Sequence, residues 1–289
     1  MQESRQMIRR KKLVDDQRTA AQIREHYDLE VRLASTLRNA NRDERRHLYS
    51  SLYDELFATL SHHPQLVRKD DVGAAETLFR QKFSLVRRYV NEDSVFLEVG
   101  PGDCSFCLRM AAIVKNVYAV DVSNEIVKSG KELPENFKLA LSDGSSIPLP
   151  DASVTVAYSN QLMEHLHPED AQEQLKEIHR VLKPGGSYIC ITPSRLAGPH
   201  DVSGYFDSDA RGFHLKEYST TELQDTFKSA GFRSLHTFAG GKGVYFRVPG
   251  LLARCVDAIV SVLPLRFRPQ LANWLPVRAV LGAIVVGRA

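Results

Sequence analysis

The stretch VFLEVGPGDCSF (Val95–Phe106) decides how this chain folds. Four of its first five residues are apolar, as in a strand buried on both faces, and the glycines follow directly. Gly100 and Gly102, on either side of Pro101, permit a tight turn and let the backbone approach a ligand without a Cβ in the way. From Ser105 the residues suit a helix. A strand, a glycine turn and a helix open a nucleotide-binding half-sheet, although Cys104 replaces the third glycine of the dinucleotide fingerprint. Glu98 sets a carboxylate beside the turn, where it suits a cationic amino group better than a pyrophosphate.

Outward from this turn the same texture repeats. A helix is expected over Ala74–Tyr89, then strands at Ser94–Val99, Asn116–Val122, Phe137–Leu141, Ser153–Tyr158 and Ser187–Thr192, with helical stretches between them. The helix Pro168–Leu182 carries Glu169 and Asp170 in its first turn and an apolar face of Leu175, Ile178, Val181 and Leu182. Lys183-Pro184-Gly185-Gly186 stops it. A helix Thr220–Ala230 and strands Ser234–Ala239 and Val280–Val286 follow. The expected fold is α/β: a seven-stranded, mostly parallel Rossmann-like sheet with helices on both faces, plus an N-terminal helical region. Right-handed crossovers put the strand C-termini, and the ligand crevice, on one edge.

Acids stand where these strands end. Asp121 lies 21 residues beyond Gly100, the spacing at which a carboxylate reaches ribose hydroxyls. Asp143, in Ser142-Asp143-Gly144, can accept a hydrogen bond from an adenine amino group. A surface-loop origin accounts for any one of Glu98, Asp121 and Asp143, but poorly for all three.

With these motifs in place, residues 95–193 resemble the class I (Rossmann-like) S-adenosylmethionine-dependent methyltransferases, in particular their small-molecule group. VFLEVGPGDC is similar to the glycine motif and VYAVDVS to the ribose-binding strand. SDGSSIPLPDASVTVAYSNQLMEHL resembles the adenine loop and fourth strand, and VLKPGGSYICITPS the helix-to-fifth-strand turn. HLKEYSTTELQDTFKSAGF resembles the segment before the sixth strand. The resemblance implies S-adenosyl-L-methionine as cofactor. Glu98, Gly100, Pro101 and Gly102 would meet its methionyl part, Asp121 its ribose and Val122 its adenine. Asp143 and Gly144 would edge the adenine, and the Asn160 backbone would lie near the sulfonium. The family's third glycine is Cys104 here, a place for a small side chain. A nicotinamide-dependent oxidoreductase shares the turn and Asp121, and is the alternative from another class. A non-catalytic cofactor-binding partner protein is the third.

Residues 1–72 read as a helical cap or lid and 73–289 as the methyltransferase domain, with a substrate loop at 195–217 and a helical insertion at 246–278. Leu48, Leu52, Leu56 and Leu60 recur every fourth residue beside Tyr49, Tyr53 and Phe57, an apolar stripe that must pack against something. A homodimer arm is the other use for it, and the first twenty residues read as a frayed, solvated helix. The tail mixes apolar pieces with Arg254, Arg266, Arg268 and Arg278. A core-covering insertion accounts for it, and a peripheral membrane or lipid contact is the sharper alternative.

With 289 residues, a net charge of +3 and 43% hydrophobic content, the chain has the profile of a soluble globular protein of cytoplasmic location. Four cysteines make no disulfide framework. Cys104 and Cys107 read as thiols facing the sheet rather than a redox pair. No run is long enough to span a bilayer. Nucleic acid is excluded as partner: the charge is not concentrated, and Ser159-Asn160-Gln161-Leu162 lacks the turn that grips a flipped base. The expected acceptor is a small molecule, methylated at a hydroxyl oxygen of a secondary metabolite, sugar or lipid-linked intermediate. Its proton needs a base. His165 is the first choice, with His200 and His214 behind it. His200, Asp201 and His214 match no established ligand spacing, so no metal is expected.

Overall fold

The computed structural model describes residues 16, 18–61, 72–123, 132–264, 267–272 and 274–289. Two N-terminal helices come first: α1 (Ala20–Asn39) and α2 (Arg42–Thr59). Each begins at a capping box, Thr19 with Gln22 and Asn41 with Glu44, which satisfies backbone N–H groups that a helix start leaves unpaired. The helical reading of this region therefore holds as two helices broken at Ala40. Residues 1–15 and 62–71 lie outside the described residues. Where a frayed helix was expected, Asp16 is tied down: Tyr205 Oη donates to it at 2.8 Å.

After α3 (Val72–Val86) the strands and helices alternate: β1 (Val95–Val99), α4 (Ser105–Met110), β2 (Asn116–Asp121), β3 (Phe137–Leu141), β4 (Val154–Asn160), α5 (Pro168–Val181), β5 (Leu182–Thr192), α6 (Thr220–Ser229) and β6 (Ser234–Gly241). Then come β7 (Val244–Val248), α7 (Gly250–Val262), α8 (Arg268–Ala272), α9 (Leu275–Leu281) and β8 (Ala283–Arg288). The helix expected between the second and third strands falls mostly on residues 124–131, outside the described residues. The sheet order is β3-β2-β1-β4-β5-β8-β6-β7. Pairing is parallel from β3 through β5 and antiparallel where β8 enters beside β5 and β6. The order reverses between β1 and β4, the switch point at which such sheets open a ligand crevice.

Eight strands are present among the described residues, one more than the seven expected. The extra one is β7, which pairs antiparallel with β6 across a two-residue turn at Lys242-Gly243. Both turn residues have positive φ, 52° and 89°, as a type I′ turn demands. Lys-Gly is not the usual signal for that turn, and β7 exposes Val244 and Phe246 rather than alternating cleanly. The apolar insertion thus begins with a strand at Val244, and its helices run from Gly250 to Leu281.

Alternation along β1 sends Leu97 and Val99 to one face and Phe96 and Glu98 to the other. On the first face lie α1, α2, α5 and α6, and Leu33, Leu37, Leu52, Leu56 and Leu60 are buried there against Leu97, Val99, Val120 and Ile147. The leucine stripe is consequently used within the chain. A buried ion pair locks α2 to α5: Arg45 Nε donates to Asp170 Oδ2 at 2.7 Å, with both side chains 3% exposed. Tyr49 Oη donates to the same carboxylate at 2.6 Å. No helix among the described residues is long and apolar enough to cross a membrane.

Candidate functional site

The glycine turn lies directly beyond β1. Gly100 (φ +65°) donates its N–H to the Val120 carbonyl at 2.9 Å, and Gly102 (φ +58°) follows. Cys104 also has positive φ, 56°, at the start of α4. A glycine adopts that backbone without strain, whereas here a cysteine is held in it and buried. Cys107 donates its thiol to the Cys104 carbonyl, and both cysteines are free.

The strand ends carry the acids. Glu98 is 3% exposed and its Oε2 has no hydrogen-bond partner. Burial pushes its carboxyl up to about 7, against the opposing charge of Lys82. Asp121, half-buried at the end of β2, accepts from the backbone N–H of Ser123 at 3.1 Å and of Gly102 at 3.4 Å. Burial raises its pKa nonetheless. Val122 is half-buried beside it. Asp143 feels burial first, but the N–H groups of Ser146 and Ser145 outweigh it and lower its pKa. Arg46 of α2 reaches the other oxygen of that carboxylate at 3.1 Å. Gly144 (φ +93°) is covered by Tyr49, whose ring a Cβ at that position would meet at 2.7 Å. Asn160 closes β4, half-buried.

Beyond β4 the chain makes a short 3-10 turn, Met163–His165. A Cβ on Gly100 would touch Leu162 at 2.7 Å, so this turn packs onto the glycine turn. The loop 195–217 returns to the same place, closed at its base by a bridge between Ser194 and Tyr218. Its His214 ring lies 4.9 Å from that of His165, centroid to centroid. His214 Nδ1 is 2.7 Å from Glu217 Oε1, and His200 Nδ1 is 3.2 Å from Glu217 Oε2. All three predicted histidines therefore meet in one network, with Glu217 joining His200 to His214.

The electrostatics sort the members. Burial, then the neighbouring His214, lowers His165 to about 4, so it is neutral in ordinary buffers. Burial opposes protonation of His214, yet Glu217 and Asp201 raise its pKa. Burial likewise opposes the charge on Glu217, but His200 and His214 hold it down at about 2. Asp201 itself serves the loop, accepting from the N–H groups of Ser203 and Gly212 at 3.0 and 2.9 Å.

Tyr53 of α2 packs against the histidine cluster. Its ring stacks on Phe213 at 4.7 Å and meets His165 edge-on at 6.1 Å. Burial raises its pKa, reinforced by the charges of Glu30, Glu164, Tyr49 and Asp121. A hollow of about 430 Å³ near Arg195, Arg254 and Asp257 and another of about 590 Å³ near Asn39 and His47 include none of the predicted site residues.

Residues 97–190, which run from within β1 through the glycine turn and β4 into β5, match a family model described as methyltransferase domain. The chain carries a class I, Rossmann-like S-adenosylmethionine-dependent methyltransferase domain. S-adenosylmethionine, not a nicotinamide, is the cofactor of that family. A Mycolicibacterium smegmatis protein named "Probable S-adenosylmethionine-dependent methyltransferase" is 30% identical to it over 136 residues, 47% of this chain and 51% of the relative. A ubiquinone/menaquinone biosynthesis C-methyltransferase of Rickettsia akari is 28% identical over 130 residues, 40% of this chain and 50% of the relative. The chain thus spans about half the length of these relatives. A chain of the complex between the Haloferax volcanii Trm112 methyltransferase activator and a methyltransferase shares the fold. Its TM-score is 0.51 at 18% identity, over 75% of this chain and 91% of that one.

The methyltransferase domain suits its cofactor on its own geometry. The buried Glu98 oxygen without a hydrogen-bond partner is one that a cationic amino group would satisfy, and Gly102, where a Cβ would meet nothing within 4 Å, leaves room at the turn. Sequence reasoning missed Glu217, Tyr53, Glu30 and Thr192 as members of the polar cluster. Glu217 stands three residues after His214, and that adjacency is the only trace it left in the sequence.

Proposed function

We propose that this chain transfers the methyl group of S-adenosylmethionine to a hydroxyl oxygen of a small-molecule acceptor, such as a sugar, a secondary metabolite or a lipid-linked intermediate. The observation that carries the reading is the convergence at one sheet edge. Tyr53 feels the charge of Asp121 and meets His165 edge-on at 6.1 Å, and His165 packs against His214. The methionyl part would lie over Glu98, Gly100, Pro101 and Gly102, with the ribose on Asp121. Val122, Asp143 and Gly144 would frame the adenine, and the Asn160 backbone would face the sulfonium.

Methyl transfer is an in-line displacement at the sulfonium carbon, so positioning and exclusion of water carry most of the catalysis. A hydroxyl acceptor must also give up its proton as the new bond forms. His165 and His214 each keep a ring nitrogen, Nε2, for that end of the site, and His200 acts through Glu217. We place residues 1–72 as a lid, since Arg46, Tyr49 and Tyr53 of α2 face the site. Exposed Leu251, Leu252, Ile259, Val262 and Trp274, with Arg254 and Arg278 nearby in the chain, support an acceptor or contact of lipid character. Four free thiols suit a cytoplasmic location.

A second reading, transfer to a ring carbon, is favoured by the name of the Rickettsia akari relative. It too requires a neighbouring hydroxyl to be deprotonated. Calorimetry with S-adenosylhomocysteine and with NAD, run separately, tests the cofactor; binding of NAD alone would sink the proposal. A labelled-methyl assay against cell extract, with the product resolved by mass and NMR, separates oxygen from carbon. If Asp121→Ala abolished cofactor binding but left the biological role intact, the non-catalytic partner reading would replace both.

A further inference from the structure

Glu164, His165 and His214 arrive from two segments, the 3-10 turn after β4 and the loop closed at Tyr218. One donor atom of each lies within 4.8 Å of the other two. The remaining contacts of each side chain settle which atoms are on offer. His165 Nδ1 faces the Phe213 carbonyl at 3.0 Å. A carbonyl only accepts, so Nδ1 carries the proton and Nε2 the lone pair. His214 Nδ1 donates to Glu217 Oε1 at 2.7 Å, which likewise leaves Nε2. Glu164 Oε2 accepts from Thr192 Oγ1 at 2.8 Å, while Oε1 is buried with no hydrogen-bond partner. The whole Glu164 residue is 0% exposed. An ionisable oxygen left bare at that depth is costly unless something positive meets it.

We infer that Glu164, His165 and His214 bind a divalent first-row transition-metal ion of the Zn²⁺ type, through Glu164 Oε1 and the two Nε2 atoms. Two imidazoles and one carboxylate form an established ligand set for such ions, and the imidazoles select against Mg²⁺ and Ca²⁺. Every ligand is oriented from behind, as metal ligands generally are: His214 by Glu217, His165 by the Phe213 carbonyl, Glu164 by Thr192. Arg38 of α1 holds the loop by donating to the carbonyls of Arg211, Gly212 and His214, and Glu30 by accepting from the Phe213 N–H. Bonds of about 2.1 Å set tetrahedral ligand atoms about 3.4 Å apart, so atoms within 4.8 Å of one another draw in by at most about 1.4 Å, within reach of side-chain rotation.

Three protein ligands leave a coordination position open. Resting on the proposed methyl transfer, that position takes the acceptor oxygen. With both Nε2 atoms given to the metal, the histidines no longer take the hydroxyl proton; it leaves to solvent, and the oxygen pair forms the bond to the methyl carbon. The electron pair of the broken carbon–sulfur bond returns to sulfur, giving S-adenosylhomocysteine.

The test uses the full chain, free of any affinity tag and stripped with a chelator. Equilibrium dialysis should load one Zn²⁺ per chain, and Co²⁺ should give the visible bands of a low-coordinate nitrogen and oxygen site. Glu164→Gln, nearly isosteric, and His214→Ala should abolish both signals, and Glu217→Gln should weaken Zn²⁺ binding roughly 10–100-fold. Circular dichroism checks that each variant is folded. Zn²⁺ uptake that is absent, or unchanged in folded Glu164→Gln and His214→Ala, overturns the site. S-adenosylhomocysteine binding is measured in parallel. Binding of the nucleoside without Zn²⁺ sinks the metal site alone, and Zn²⁺ without the nucleoside sinks the methyl-transfer reading and leaves the site standing.

Discussion

Burial pushes the Glu98 carboxyl up to about 7, so its neutral form prevails only below that pH. A folded-state value above the ordinary 4.5 means that the group favours folding at low pH, and that this share is lost as pH rises from about 4.5 to about 7. Binding has the opposite sign, because a cationic amino group selects the ionised carboxylate. Affinity for S-adenosylhomocysteine should therefore fall as pH drops below about 7, and calorimetry between pH 5.5 and 8 should find this slope flattened in Glu98→Gln. At Asp121, Ala removes the proposed ribose acceptor, and affinity should fall at least about tenfold, the worth of one good hydrogen bond to a charged group. An unchanged dissociation constant would remove Asp121 from the cofactor site. Both acids could be read from the sequence, since each ends an apolar run at a fixed distance from Gly100. Glu217 could not, because its role depends on His200, 17 residues earlier, folding back onto it.

At the scale of elements, α2 does more than cover the sheet. Arg45 pairs with Asp170 at the start of α5, and Arg46, Tyr49 and Tyr53 look into the site. Removing one partner strands a charge in the interior, so Asp170→Ala should cost about 3–5 kcal/mol in urea or thermal unfolding. A loss below about 1 kcal/mol would mean the pair is solvated in solution. The leucine spacing revealed α2 as a helix with a buried side, but not what the side would meet. The hairpin to β7 shows the converse. A Lys-Gly turn with two positive φ values forms because β6 offers an unpaired edge, which local propensity does not encode.

For the whole molecule, one core face is shared between the N-terminal helices and the sheet. Leu56, 1% exposed, is buried with Leu97 and Val99 of β1, about forty positions further along the chain. Leu56→Ala should cost about 2–5 kcal/mol, and the loss should appear in a single unfolding transition if the helices and sheet fold as one unit. Two separate transitions would show that residues 1–72 unfold independently.

The sequence by itself determined the α/β alternation, the glycine turn, the acids at the strand ends and the family to which residues 97–190 belong. These rest on periodicity, turn chemistry and short fixed spacings, all of which act between near neighbours. Only the tertiary structure decided that the leucine stripe is used inside the chain, that an eighth strand pairs at the edge, that Glu217 joins His200 to His214, and that His165 lies against His214. It also set Glu164, with one oxygen bare, beside His165 and His214. Those outcomes depend on which distant surfaces meet when the sheet and its helices close, and contacts across long stretches of chain leave no local pattern to read.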